Sequence, residues 1–175
     1  MTRFVLDPDL TPALVDELID CWTQVTNAGG AVGFVPPVSA GDIRPTAEAL
    51  FARCRPGGTD RLLAGFDDET GDLSCWLVLA DNGSPLRAHW RWLLKVMVHP
   101  KRQGTGLGLE LMRAADEAAA RLGVESLHLV CRGGTGVDRF YAGAGYTEVG
   151  RIPRAIRVTP GDDREEIYLV KHLIP

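Results

Sequence analysis

The sequence has few lysines and no closely spaced cysteines. Lys95, Lys101 and Lys171 are its three lysines, so arginine supplies most of its positive charge. Its four cysteines are far apart and form no CxxC pair. This spacing argues against a zinc site or a disulfide framework and favours reduced thiols. We therefore expect a protein without a metal site.

Long apolar runs and an excess of positive charge are also missing. No apolar run is long enough to cross a bilayer, and the N-terminal MTRFVLDPDL lacks the apolar core of a signal peptide. The net charge of −4 argues against nucleic acid or an anionic membrane as a partner. The length of 175 residues, 45% of them hydrophobic, suits one domain over residues 1–175. We expect a cytoplasmic protein, and a homodimer stays open.

Strand patterns alternate with helical patterns along the chain. Helices are predicted from Thr11-Pro12 to about Gly29, over 46–54, over 104–122, and over the short stretch VDRFYAGAG. Strands are predicted at 3–6, 62–66, 73–80, 87–99, 126–131, 146–149 and 167–172, with a loop over 28–45. Hairpins followed by a βαβ crossover predict an α/β (α+β) fold, with a mixed, mostly antiparallel sheet between helices on both faces.

Three glycines at alternate positions follow the long strand candidate, in HPKRQGTGLG (99–108). A glycine turn that opens a helix can bind an anion, because helix-start N–H groups are free and no side chain blocks them. A P-loop is excluded, since no lysine follows these glycines. A dinucleotide fingerprint would need its third glycine at Leu109, although Glu125 has the spacing of a ribose-binding carboxylate. The pattern Q/R-x-x-G-x-G/A fits fully from Gln103 to Gly108, and a plain turn without a ligand is the remaining interpretation.

Two motifs about forty residues apart resemble those of the GNAT superfamily of N-acetyltransferases. Val96-Met97-Val98 and then His99-Pro100 precede the glycine turn, as they do in that family. The second motif is Phe140-Tyr141-Ala142-Gly143-Ala144-Gly145-Tyr146. The resemblance covers about residues 60–175, and GYTEVGRIP (145–153) is also similar to a bacterial subgroup that includes tabtoxin-resistance acetyltransferases.

The resemblance implies a GNAT-like sheet with a splayed strand pair, and acetyl-CoA as the acetyl donor. It implies that the backbone of Val96, Met97 and Val98 pairs with the pantetheine arm of the cofactor. It also implies that the motif turn binds the pyrophosphate, through Gln103, Gly104, Thr105, Gly106, Leu107, Gly108 and Leu109. Lys101 and Arg102 could add charge there. Tyr141 matches the general acid of the family, a phenol close to the sulfur of the cofactor.

The general base is the weakest part of the pattern. Trp92 stands where many family members carry a glutamate, and His89, on the same strand candidate, is the nearest titratable group. A water chain, or an amine that arrives neutral, would also serve.

The resemblance therefore implies direct transfer of an acetyl group to a primary amine, and we expect a small molecule as the acceptor. One alternative is an acetyl-CoA-binding sensor or interaction module without turnover. A second is an oxidoreductase that binds NAD at the glycine turn.

Overall fold

The computed structural model describes residues 1–173, which form seven strands and four α-helices. The strands are β1 (Thr2–Leu6), β2 (Arg61–Asp67), β3 (Leu73–Ala80), β4 (Trp90–Val98), β5 (Ser126–Arg132), β6 (Thr147–Thr159) and β7 (Asp162–His172). The helices are α1 (Pro12–Asn27), α2 (Ala40–Ala52), α3 (Leu107–Arg121) and α4 (Val137–Gly143). No helix in this part of the chain has both the length and the apolar character needed to cross a membrane.

The seven strands form one mixed sheet in the order β1-β2-β3-β4-β5-β7-β6. Every neighbouring pair is antiparallel except β4 and β5, which are parallel and connected through α3. The sheet agrees with the mixed, mostly antiparallel arrangement that the sequence predicts.

Helices cover both faces of this sheet. On one face, Trp22 of α1 and Phe51 of α2 pack against Trp76 of β3. On the other face, α3 and α4 pack against alternate residues of the same strands, such as Leu77 and Leu129. Because successive side chains of a strand point to opposite faces, each central strand contributes to both clusters.

Helix α2 begins earlier than the sequence analysis predicts. It spans Ala40–Ala52 rather than 46–54, because Ser39 and Asp42 form a capping box that satisfies the first N–H groups. Pro45 lies inside the helix and had favoured a loop at this point. Because proline lacks an N–H group, the carbonyl of Gly41 has no donor one turn later, and the helix continues without this hydrogen bond.

The last two strands are much longer than the predicted segments 146–149 and 167–172. They form a hairpin of 13 and 11 residues. Strand β6 is almost entirely exposed, and its large apolar residues Val149, Ile152, Ile156 and Val158 are not spaced at every second position. It therefore lacks the period-two signal of a half-buried strand. The backbone of β6 pairs with β7, and cross-strand ion pairs also connect the two strands, including Arg151 to Glu165 at 2.8 Å and Arg157 to Asp163 at 2.6 Å.

Strand β4 begins at Trp90, three residues later than predicted. Residues Pro85–Arg87 form a 3₁₀ turn, which the side chain of Asn82 holds by donating to the carbonyls of Arg87 and Trp90 at 2.7 and 2.9 Å. His89 therefore lies in an exposed turn before the strand, not on the strand.

Candidate active site

A cleft opens where β4 and β5 separate. The two strands pair over three positions, and the last of these pairs is Trp92 with His128. Beyond it, the strands border a cleft of about 590 Å³. The edge of β4 that faces β5 has no strand partner there within residues 1–173, so its backbone groups can hydrogen-bond to a ligand.

A β-bulge in β4 lies at the edge of this cleft. Trp76 and Val78 of β3 pair with Met97 and Leu94, so one residue of β3 lies opposite two of β4, Lys95 and Val96. Lys95 has a φ of 56°, a left-handed conformation that is uncommon for a residue with a side chain. The bulge bends β4 at the point where it leaves β5.

The glycine turn lies between β4 and α3 and delays the start of the helix to Leu107. Gly104 and Gly106 have φ values of 74° and 89°, which favour glycine over every other residue. None of the hydrogen bonds within residues 1–173 uses the backbone N–H of Gly104, Thr105 or Gly106 as its donor. These groups and the first N–H groups of α3 can therefore receive an anion.

Gly108 serves a different purpose, because its φ is not in the left-handed region. A Cβ at this position would lie 3.1 Å from the Phe140 ring, closer than ordinary contact. Gly108 thus lets α3 approach α4, and α4 carries Tyr141 next to Phe140. The third glycine of the turn is a packing residue.

Side chains also brace the turn. Gln103 donates to the carbonyl of Val98 at 3.0 Å, and Thr105 donates to the carbonyl of Arg102 at 2.7 Å. Arg102 forms an ion pair with Asp67 of β2 at 2.9 Å, whereas the neighbouring Lys101 is exposed. The hydrogen bonds that the backbone N–H groups of Glu69 and Thr70 donate, together with Arg102, lower the pKa of Asp67. Arg102 is thus already paired with a carboxylate, and the added charge of Lys101 near the phosphates stays a prediction.

Tyr141 lies in the wall of the cleft on α4. It is 7% exposed and contacts the rings of Phe140 and Tyr146 with centroid separations of 5.1 and 6.0 Å. Burial raises the pKa of the Tyr141 phenol well above its usual value, with a smaller effect from Cys131. The phenol is therefore protonated at neutral pH and can donate a hydrogen bond.

Most of the predicted site residues meet at this cleft. Val96, Met97, Val98, Gln103 and Tyr141 line it. The next residues along the chain after Gln103 form the turn and the start of α3, and they are Gly104, Thr105, Gly106, Leu107, Gly108 and Leu109. His89 is not brought to them, since it precedes β4 and is separated from Met97 by roughly 25 Å of extended chain.

Sequence reasoning missed three parts of the cleft wall. Lys95 lines it because of the bulge, which no sequence pattern indicates. Arg132 lines it at the end of β5, and residues 29–35 of the α1–α2 connection close one side. The glycine, proline and polar residues of 28–45 were the signal for this connection, and they indicated only a loop.

The titratable side chains that line the cleft are two arginines, a lysine, a thiol and Tyr141. The cations are Lys95, Arg132 and Arg157. Within the described residues, the lining contains no aspartate, glutamate or histidine. Residues 1–173 also contain no group of three or more histidine, cysteine, aspartate or glutamate side chains placed to hold a metal ion.

Comparisons with known proteins agree with this architecture. Residues 66–148 match the family model of the acetyltransferase (GNAT) domain. The fold is similar to that of yncA from Salmonella typhimurium, solved with its cofactor acetyl-CoA. The two chains are 18% identical with a TM-score of 0.74, and the match covers 100% of this chain and 94% of that one.

Two further solved structures are similar at 18% identity. An aminoglycoside 6'-N-acetyltransferase complexed with coenzyme A has a TM-score of 0.73, and the match covers 100% of this chain and 98% of that one. A provisionally named phosphinothricin N-acetyltransferase has a TM-score of 0.78, with coverage of 99% and 100%. The predicted fold class, with its splayed strand pair, is confirmed.

Proposed function

We propose that the protein transfers an acetyl group from acetyl-CoA directly to an amine, since residues 66–148 match the family model of the GNAT acetyltransferase domain and the fold is similar to that of solved acetyltransferases. The acceptor is a primary amine of a small molecule. The observation that carries this proposal is the cleft between β4 and β5, which ends at a turn with free backbone N–H groups.

The cofactor lies along the free edge of β4. Val96, Met97 and Val98 hydrogen-bond through their backbone to the amides of the pantetheine arm, as an added strand would. The N–H groups from Gly104 to Gly108 bind the pyrophosphate, which the positive end of the α3 dipole also attracts. The N–H of Leu109 already donates to the carbonyl of Gly106 at 3.0 Å. Gln103 supports this arrangement by holding the carbonyl of Val98.

The reaction is attack of the neutral amine on the thioester carbonyl. A backbone N–H near Val98 stabilises the oxyanion that develops on this carbonyl. The carbon–sulfur bond then breaks, and Tyr141 donates a proton to the departing thiolate. Water accepts the proton that the amine loses, since the lining in the described part of the chain holds no carboxylate or imidazole.

Two of the similar structures support a small acceptor. One is named for an aminoglycoside and one for phosphinothricin, and both names denote small molecules with an amine. The cleft volume of about 590 Å³ is within the usual range for a small-molecule site.

Calorimetric titration with acetyl-CoA, with NAD and ATP as controls, tests the cofactor. A thiol-release assay over a panel of amines then tests turnover. We expect selective acetyl-CoA binding and release of coenzyme A. Binding without turnover on every amine would identify a sensor, and binding of NAD in place of acetyl-CoA would identify an oxidoreductase.

A further inference from the structure

The two faces of the sheet give the cleft two chemically different sides. Leu127 and Leu129 of β5 belong to the cluster under α3, together with Cys131 at its border. Because side chains alternate along a strand, Arg132 points to the opposite face, which α1 and the 29–35 connection border. The glycine turn belongs to the α3 side.

Lys95 lies on the same side as Arg132. Its ammonium group is 4.7 Å from the centre of the Trp22 ring on α1 and donates to the carbonyl of Val32 at 3.1 Å. Trp22 donates to the same carbonyl at 3.0 Å. An ammonium group has three N–H donors, so two remain for a ligand.

Lys95 has no carboxylate partner in the described part of the chain, although it is largely withdrawn from water. Burial lowers its pKa. A buried cation without a counter-charge is unfavourable, and an anion that enters the cleft would relieve this cost.

Arg132 also has no directly bound carboxylate in the described residues. Its guanidinium group forms no ion pair or side-chain hydrogen bond within residues 1–173. Glu166 lies opposite it in the β5–β7 register but is not within ion-pair distance. Asp162, whose pKa Arg132 helps to lower, is bound by Arg164.

Arg157, the third cation of the lining, is different. Asp163 binds it through two hydrogen bonds of 2.6 and 2.9 Å, so its charge is largely compensated. Lys95 and Arg132 are therefore the two cations of the described lining that no carboxylate binds directly, in a protein whose net charge is −4.

We propose that the acceptor carries a carboxylate besides its amine, and that Arg132 and Lys95 bind this carboxylate on the α1 side of the cleft. This inference rests on the proposed function and specifies its substrate class as amino acids and similar amino-carboxylates. A guanidinium and an ammonium group match a carboxylate with charge-assisted hydrogen bonds. The same two charges repel a polycationic acceptor.

The phosphates of acetyl-CoA do not account for these cations. The turn that receives the pyrophosphate opens α3, and α3 covers the other face of the sheet. Lys95 and Arg132 border the face that α1 covers, so they remain available to the acceptor when the cofactor is bound.

Matched acceptor pairs test the proposal. A panel of free amino acids and the corresponding amino acid amides is assayed by thiol release, with acetyl-CoA titrated into the same preparations. Each amide lacks the carboxylate but has a less basic amine, so chemistry alone would favour the amide. We expect at least one free acid to exceed its amide about tenfold or more in kcat/KM.

The variant Arg132→Gln then assigns the preference to the site. For the preferred acid we expect KM to rise about tenfold to a hundredfold, with kcat, the acetyl-CoA affinity and the KM of the amide little changed. Arg121→Gln, an exposed arginine at the far end of α3, is the control and should change none of these values.

The outcomes separate the two proposals. Suppose that acetyl-CoA binds, and that amides or other amines without a carboxylate react as fast as the free acids or are the sole substrates. The carboxylate proposal is then wrong, and the proposal of an acetyltransferase stands. The same holds if Arg132→Gln raises KM equally for acid and amide. If acetyl-CoA does not bind, both proposals are wrong.

Discussion

At the scale of single residues, the proposed chemistry depends most on the hydroxyl of Tyr141. Tyr141→Phe removes the proton donor and preserves the ring contacts with Phe140 and Tyr146. We expect kcat to fall about a hundredfold or more while the acetyl-CoA affinity stays constant, as measured by steady-state kinetics and calorimetry.

Tyr146→Phe is the matched control. Its hydroxyl is buried without a hydrogen-bond partner in the described residues, and it does not line the cleft. Its removal should leave kcat unchanged. Equal losses in both variants would mean that the aromatic packing, and not the Tyr141 hydroxyl, supports turnover.

The thiol of Cys131 also lines the cleft, and its protonation state bears on the reaction path. Burial, and to a smaller extent Asp138, raises its pKa to about 11. Because a raised thiol pKa favours the neutral form, only about one molecule in a thousand carries the thiolate at pH 8. We expect slow alkylation of Cys131 at pH 7, with a rate that rises about tenfold per pH unit towards pH 11.

This protonation state agrees with direct transfer rather than an acetyl-cysteine intermediate. The alkylation of Cys131 can be followed by mass spectrometry of the peptide that contains it. Cys131→Ser should retain turnover. An acetylated Cys131 that accumulates with acetyl-CoA and disappears on addition of amine would overturn direct transfer.

At the scale of elements, the turn between β4 and α3 combines two different demands. Gly104 and Gly106 provide left-handed backbone, and Gly108 provides a close helix contact. A regular glycine pattern in the sequence thus has two physical causes. The spacing of the glycines in the sequence did not show that the role of Gly108 differs from that of Gly104 and Gly106.

Gly106→Ala tests the first demand. A Cβ there would meet no protein atom within 4 Å, so its cost is the left-handed backbone, about 1–2 kcal/mol of stability. The open space is where we place the pyrophosphate, so we also expect a roughly tenfold or greater loss of acetyl-CoA affinity by calorimetry.

Gly123→Ala is the control, because it introduces the same backbone strain at a position away from the proposed acetyl-CoA site. This glycine follows the other end of α3 with a φ of 72°, and a Cβ there would also meet nothing within 4 Å. Its stability loss in urea unfolding should be similar, with no change in acetyl-CoA affinity. If both variants bind acetyl-CoA like the original protein, the turn does not hold the pyrophosphate.

At the scale of the whole molecule, the two core clusters share their strands. Leu62 and Trp76 face the cluster under α1 and α2, whereas their neighbours Leu63 and Leu77 face the cluster under α3. Because both clusters are built on the same strands, loss of the strand pairing would disrupt both of them. This arrangement supports the prediction of a single domain over residues 1–175.

Cooperative unfolding tests this prediction. Tryptophan fluorescence, which reports mainly on the α1 side, and far-ultraviolet circular dichroism should give one coincident urea transition. Acetyl-CoA at a hundred times its Kd should stabilise the folded state by about 2.7 kcal/mol and raise Tm by roughly 5–10 °C. Two separate transitions, of which acetyl-CoA moves only one, would contradict the single domain.

The sequence by itself determined the local features of this protein. The start of α1 at Pro12 and the glycine turn before α3 depend on residues close in the chain. Capping, backbone preference and apolar period act over a few positions, so they can be recognised without the fold. The motif of Gln103 to Gly108 and the segment around Tyr141 were recognised in this way, and the resemblance to GNAT acetyltransferases is confirmed.

Only the tertiary structure decided what depends on the register of distant strands. The bulge at Lys95 exists because β3 and β4 pair with unequal numbers of residues, and the length of the β6–β7 hairpin is set by how far these two strands pair. The position of His89 away from the cleft and that of Arg132 within it follow from where each strand begins and which face its residues take. These are non-local contacts, and a one-residue change of register reverses the face of every side chain.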